Sequence, residues 1–312
     1  MNEAESDKSR AVRRITWIGL FLNLLLSAVK FAAGHFGQSR VLVADAVHSL
    51  SDLATDAAVL IGSRYWDRPA DRNHPYGHGK AEPLVALIIG ALLFLLAFHL
   101  IRDAAITLHE IFEGKQIPAP GHSALLAALF SIVVKESLYR STMRVAHRVG
   151  SVAIAANAAH HRSDALSSIP ALLSVGICIA FGPRWTFLDP VGTIIVGCLI
   201  LFSVYEIAKE PLRTLLDQGE AEDILDKIER IAEQVPEIHR IHDIRTRPMG
   251  GGNFAADLRI HVDPSMPVLR AHALSHRLTA LITHQVHGIV DVVVHIEPDD
   301  IGPKQMPPKV SG

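Results

Sequence analysis

Two stretches of otherwise apolar sequence carry the same pair of metal-binding side chains at the same spacing. ADAVHSLSD holds His48 and Asp52, and ANAAHHRSD holds His160 and Asp164. Aligned without gaps, the two also match Ala44 with Ala156, Ala46 with Ala158 and Ser51 with Ser163, and set Asp45 against Asn157. On a helix, residues four apart share one face with Cβ atoms about 5–6 Å apart. Each stretch therefore offers one imidazole nitrogen and one carboxylate oxygen to the same ion. Two such helices side by side supply four donors, the number Zn²⁺ takes in tetrahedral coordination. Their two aspartates would cancel the ion's charge, which matters because an uncompensated charge in an apolar medium is very costly. Polar groups lining an interface or pore are the plainer explanation, but a matched His-x-x-x-Asp in both stretches favours a metal. The short repetition is what transporters built from related helical units retain, with polar sites where the units meet. Asp56 continues the face of the first stretch as a relay candidate, and Asp45 and Asn157 are pathway candidates.

The elements that must position these residues are long apolar runs. Of 312 residues, 49% are hydrophobic, and before residue 210 they fall in six runs at about 15–34, 39–63, 83–106, 121–142, 150–181 and 187–208. About 20 apolar residues cross a bilayer as a helix, so the expected architecture is a membrane-embedded, all-α bundle of six helices. His99, in the cleanest of these runs, reads as a packing residue, and Lys30 near the end of the first run reads as snorkelling to the interface. Lys135 and Glu136 in the fourth run have no assignment beyond pairing with other buried polar groups. Cys178 and Cys198 give no disulfide framework, whereas 18 histidines make imidazole the natural metal ligand. A net charge of −2 gives no reason to expect a nucleic-acid partner.

Basic residues are unevenly divided between the two ends of the runs. Lys8, Arg10, Arg13 and Arg14 precede the first run, Arg64, Arg68, Arg72 and Lys80 follow the second, Arg140, Arg144 and Arg148 follow the fourth, and Lys209 and Arg213 follow the sixth. The other side has Arg40, Lys115 and Arg184. The positive-inside rule then places both termini in the cytosol. Residues 1–14 form a charged leader without the apolar core of a signal peptide, residues 15–210 the membrane domain, 211–298 a second domain and 299–312 a disordered tail. In the second domain EAEDILDKIERIAEQV has helical spacing, IHRIHDIRTR and NFAADLRIHV read as strands around an MGGGN turn, and a further helix and strand follow. The order αββαβ predicts an α+β, ferredoxin-like domain with its helices on one face of a small sheet.

Taken together, VADAVHSLSDLATD, HPYGHGKAEPL, KESLYRSTMRVA and SVAIAANAAHHRSDALSS resemble the cation diffusion facilitator family along essentially the whole chain. The resemblance implies a homodimer of six-helix protomers in the lipid bilayer, a cytosolic ferredoxin-like domain on each, and export of a divalent metal against protons. It places the transport site on His48, Asp52, His160 and Asp164, with histidine at the first position accompanying zinc-type selectivity. Imidazole suits Zn²⁺, Cd²⁺, Co²⁺ and Ni²⁺ far better than Mg²⁺ or Ca²⁺. It also implies a loop metal site at Asp71, His74 and His78, against the plainer reading of a solvated basic loop. Lys80 resembles a lysine that pairs with an aspartate after the sixth span, here Asp217. In the cytosolic domain His242, His272, His295 and Glu297 resemble a regulatory metal cluster, against a simple histidine-rich surface. Arg259 stands where a histidine often does, and His261 two residues on is the substitute. A guanidinium cannot ligate, so fewer metals are expected there.

No prosthetic group is expected; Zn²⁺ would be substrate and regulatory ligand. Histidine and aspartate ligate only when deprotonated, so metal and protons compete for the same atoms, with His48 and His160 as proton carriers. A channel or a metal sensor without coupled transport would keep the same ligands. An intramembrane zinc enzyme would need an open metal position beside a general base, and no HExxH occurs. A multi-pass protein of the bacterial inner membrane is the expected setting.

Overall fold

The computed structural model describes residues 3–149, 151–219 and 222–299, without the side chains of residues 3–13, 55, 56, 59, 60, 63, 152, 153, 156, 222 and 223. Asp56 and residues 300–312 of the expected tail thus lie outside what is described. The chain forms two compact units: residues up to Leu60 with Ile88–Ile207, and Ile61–Leu87 with the residues from Ala208 on.

The first unit is helical: α1 (Glu3–Phe36), α2 (Arg40–Trp66), α3 (Ala81–Phe112), α4 (His122–Val149), α5 (Val152–Ser167), α6 (Ile169–Phe181) and α7 (Leu188–Leu215), the ends of α2, α3 and α7 running into the second unit. Among the described residues, five stretches are long and apolar enough to cross a membrane: Arg14–Phe36, Ala81–Phe112, His122–Val149, Asn157–Phe181 and Pro183–Leu215. Helix α2 has 27 residues, enough to span at ~1.5 Å each, but Asp45, Asp52 and Asp56 interrupt its apolar run.

The fifth expected span is two helices rather than one. Pro170 has no N–H to give the carbonyl four residues back, and its ring crowds that carbonyl. The break falls at Ser168, which ends α5 and begins α6. The core is lined by small residues, with Ala44 of α2, Ala97 of α3, Ala124 and Ala128 of α4, and Ala171 of α6 fully buried. Small side chains let helix backbones approach without the hydrophobic drive that water supplies. At Gly192 an added Cβ would sit 2.3 Å from the Ser174 hydroxyl oxygen and 2.8 Å from a Val41 methyl, so α2, α6 and α7 meet closely there. Buried Asp189 at the start of α7 accepts from the Ser39 hydroxyl at 2.7 Å and the Arg40 amide at 2.8 Å. Its carboxylate thus caps α2, and Arg40 donates onward to Thr107.

The second unit contains α8 (Glu222–Glu233), β1 (Arg240–Gly250), β2 (Asn253–Val262), α9 (Val268–Gln285) and β3 (Ile289–Pro298). The sheet order is β1-β2-β3. β1 pairs antiparallel with β2 through a turn containing Gly250, Gly251 and Gly252, all at positive φ, and β2 pairs parallel with β3 across α9. Leu258 and Ile260 pack with Ile228 and Ile231 of α8 and with Leu274, Leu278 and Ile282 of α9. Side chains alternate along a strand, so Arg259 and His261 point to the sheet face away from the helices. Asp299, placed in the expected tail, is instead tied to the sheet, its amide donating to the Val262 carbonyl at 3.0 Å.

Leu278 is fully buried at the centre of this core. Leu278→Ala should cost about 2–5 kcal/mol. Hydrogen exchange of the full-length protein should show that loss of protection in β1–β3 and unchanged protection in α4.

Candidate metal centre

Helix α2 delivers Asp52, and α5 delivers His160 and Asp164 one turn apart. One ligand atom from each lies within 4.8 Å of the others. The His160 Nδ1 is 3.8 Å from Asp164 Oδ1, with the His160 side chain 47% exposed and that of Asp164 6%. Asp52 Oδ2 is buried without a hydrogen-bond partner, a lone pair left for a cation. His48 is buried one turn before Asp52, and its Nδ1 is likewise unpartnered. It falls outside the three whose ligand atoms all lie within 4.8 Å of one another.

Two lysines stand against these carboxylates. Lys30 does not snorkel to the interface: it is wholly buried, its Nζ 2.9 Å from Asp45 Oδ2. Asp45 is sealed from solvent, and the ammonium supplies the compensation for its charge. Lys135, also buried, places Nζ 3.1 Å from Asp164 Oδ2. Ser49 Oγ accepts from Lys30 at 3.1 Å and from Lys135 at 3.2 Å. Ser168, held at the α5–α6 break, accepts from Lys30 at 3.1 Å and donates to Asp45 Oδ1 at 3.0 Å. Glu136 takes no part, pairing with Arg140 at 2.7 Å. His99 is not a lone packing residue either: Asp103, four residues on, lies 3.2 Å from its Nε2 on an exposed face. The sequence reading passed over His161, which is buried with neither ring nitrogen hydrogen-bonded. An added Cβ at Gly19 would lie 3.3 Å from its Nε2 and one at the same place 3.8 Å from Leu138. The only signal for it in the sequence was its place beside His160.

The loop before α3 brings Asp71, His74 and His78 together within ligand distance. His74 Nδ1 is 3.5 Å from Asp71 Oδ1, and His78 Nε2 is 3.5 Å from Asp71 Oδ2. The backbone N–H groups of His74 and, secondarily, Asn73 hold the Asp71 carboxyl below its usual range. Lys80 Nζ lies 2.6 Å from Asp217 Oδ1, both side chains about half exposed.

On the helix-free face of the sheet, His242, His261 and Glu297 form a third convergent group. His261 Nε2 is 2.9 Å from His242 Nε2, which is 3.2 Å from Glu297 Oε2. The register explains the meeting, with His242 opposite Arg259 and His261 opposite Glu297. Arg259 donates to Glu297 Oε1 at 3.0 Å, and exposed His295 approaches the same oxygen at 3.5 Å. His272 does not join them. It is exposed on α9, edge-to-face with His276 at 4.4 Å, and the sheet separates it from the group.

Comparison with known proteins places the chain. Residues 16–216 match the cation efflux transmembrane domain and residues 221–299 the cytoplasmic domain of cation efflux proteins. The chain belongs to the cation efflux family, the cation diffusion facilitators. It is a multi-pass membrane protein of a family of metal efflux transporters, not an enzyme. It is 29% identical over 297 residues to the manganese efflux system protein MneP of Bacillus subtilis, covering 94% of this chain and 98% of MneP. It is 32% identical to metal tolerance protein 2 of Oryza sativa, covering 92% and 78%. It is 29% identical to the magnetosome protein MamM of Magnetospirillum gryphiswaldense, covering 95% and 91%.

The sheet geometry separates His261 from His272. With the membrane site silenced by Asp164→Asn, His261→Ala should weaken metal binding to the full-length protein by about 10–100-fold, read by isothermal titration. His272→Ala should leave it unchanged.

Proposed function

We propose that this protein exports a divalent transition metal from the cytosol in exchange for protons, with Asp52, His160 and Asp164 as ligands. The convergence of these three across two membrane helices, with one buried Asp52 oxygen unpartnered, carries the reading. His48 completes a tetrahedral set of two nitrogens and two oxygens by turning its ring toward them, a set suited to Zn²⁺. Proton exchange follows from the imidazole ligands, which must lose a proton to bind metal and titrate in the physiological range. Both termini face the cytosol, the membrane is a bacterial inner membrane, and the protein works as a homodimer joined through its cytosolic domains. Asp71, His74 and His78 bind a second metal in the loop before α3. His242, His261 and Glu297, with His295 beside them, sense metal, and Lys80 with Asp217 steadies the junction between helix and domain.

Manganese is the second reading. Without His48 the converging donors are two carboxylates and one imidazole, a harder set that favours Mn²⁺ or Fe²⁺. The relative MneP is named for manganese efflux.

Reconstituted vesicles decide both points. Asp164→Asn and Asp52→Asn each remove a carboxylate ligand and should each bring metal transport to background. Zn²⁺ entering the lumen should alkalinise it as protons leave, and faster from an acidic lumen; flux indifferent to pH would remove the exchange mechanism. His48→Ala should abolish zinc transport, and if it spared Mn²⁺ transport the manganese reading would replace the zinc one.

A further inference from the structure

Lys135 is a buried ammonium set against a member of the converging ligand group. It lies at 1% exposure, and its ammonium touches two groups, Asp164 Oδ2 at 3.1 Å and Ser49 Oγ at 3.2 Å. Asp164 is also a member of the converging ligand group. Its Oδ1 faces His160 while its Oδ2 faces Lys135. A metal bonded to a carboxylate oxygen sits roughly 2.0–2.2 Å from it. Metal and ammonium would then be held against one small carboxylate in a poorly screened interior, where like charges repel strongly. Both cannot keep their best contacts at once.

The neighbouring pair behaves differently. Lys30 shares Ser49 with Lys135 but directs its charge to Asp45, which is outside the converging group. The three carboxylates Asp45, Asp52 and Asp164 face two ammonium groups in this cluster. A lysine stem has four carbons and freely rotating donors, so its head can shift from carboxylate to hydroxyl without a helix moving.

We propose that Lys135 is a tethered counter-cation of the transport site, exchanging with the metal at Asp164 and retreating to Ser49 when metal binds. The proposal rests on Asp164 being a metal ligand. Lys135 then has two consequences for transport. It keeps Asp164 compensated during the return step, and it lowers metal affinity so that release is fast. It is a positioning residue, since it acts through Asp164 and does not bond the metal.

The test is the split between KM and kcat for Zn²⁺ and Mn²⁺ transport by full-length protein in vesicles. Lys135→Met should lower KM by about tenfold and lower kcat as well, because affinity rises while release slows. Lys30→Met should not lower KM. If Lys135→Met cannot be obtained folded, Lys135→Gln, which keeps donors for Ser49 and Asp164 without the charge, should show the same split. A KM that rises or stays unchanged in both variants would overturn the proposal, as would an equal fall of KM in Lys30→Met. The underlying site is judged separately: if Asp164→Asn transports normally, the ligand assignment fails. If it does not transport and Lys135→Met shows no split, only the counter-cation role fails.

Discussion

A carboxylate inside a helix bundle must have a positive partner, and this requirement shapes the membrane unit. Asp45 is matched by Lys30 and Asp164 by Lys135, each pair within about 3 Å and sealed from solvent. Such pairs gain little net stability over apolar packing, yet removing one partner is strongly destabilising. The two serines make the arrangement workable. Ser49 and Ser168 take up the donor capacity the lysines have left after pairing. Asp52 Oδ2 is buried with no hydrogen-bond partner and, among the described residues, no lysine ion pair. Asp52 belongs to the group in which its ligand atom comes together with those of His160 and Asp164.

The helices are shaped to bring these groups together. Fully buried alanines on α2, α4 and α6 allow backbones to approach closely enough for short polar side chains to meet across them. The break before Pro170 has a second effect. It puts Ser168 at a helix junction, where its hydroxyl reaches both Asp45 and the Asp164 carbonyl, the latter at 3.2 Å. A continuous helix would point that serine along a different direction.

The cytosolic sheet repeats the theme on a wetter surface. Glu297 is shared between a fixed guanidinium, Arg259, and the imidazole of His242. In both places a protein cation lies against a carboxylate that also belongs to a convergent ligand group. The two differ in mobility. Arg259 is held by the strand register and by Asp243 at 3.7 Å as well as Glu297, whereas Lys135 is held by one carboxylate and one hydroxyl. The guanidinium is shared between two carboxylates, and the ammonium is paired with one.

What the sequence determined alone was whatever depends on periodicity and local spacing. Apolar run length set the membrane helices, and strand alternation set the αββαβ unit with its Gly250–Gly252 turn. The i, i+4 spacing put His160 beside Asp164 on one face. The break at Ser168 was legible in Pro170 but was read through, because a single proline does not always end an apolar run. Asp103 beside His99 was equally local and was passed over. What only the tertiary structure decided was which residues from different helices meet, since pairing across a bundle leaves no periodic trace. Lys30 looked like an interfacial residue by its place near a run's end, and only the approach of α1 to α2 shows that it neutralises Asp45. The convergence of Asp52 with α5, the position of His48 outside it, and the exclusion of His272 by the thickness of the sheet are likewise matters of three-dimensional packing. Spacing along a chain fixes which faces exist; the packed backbone fixes which faces meet.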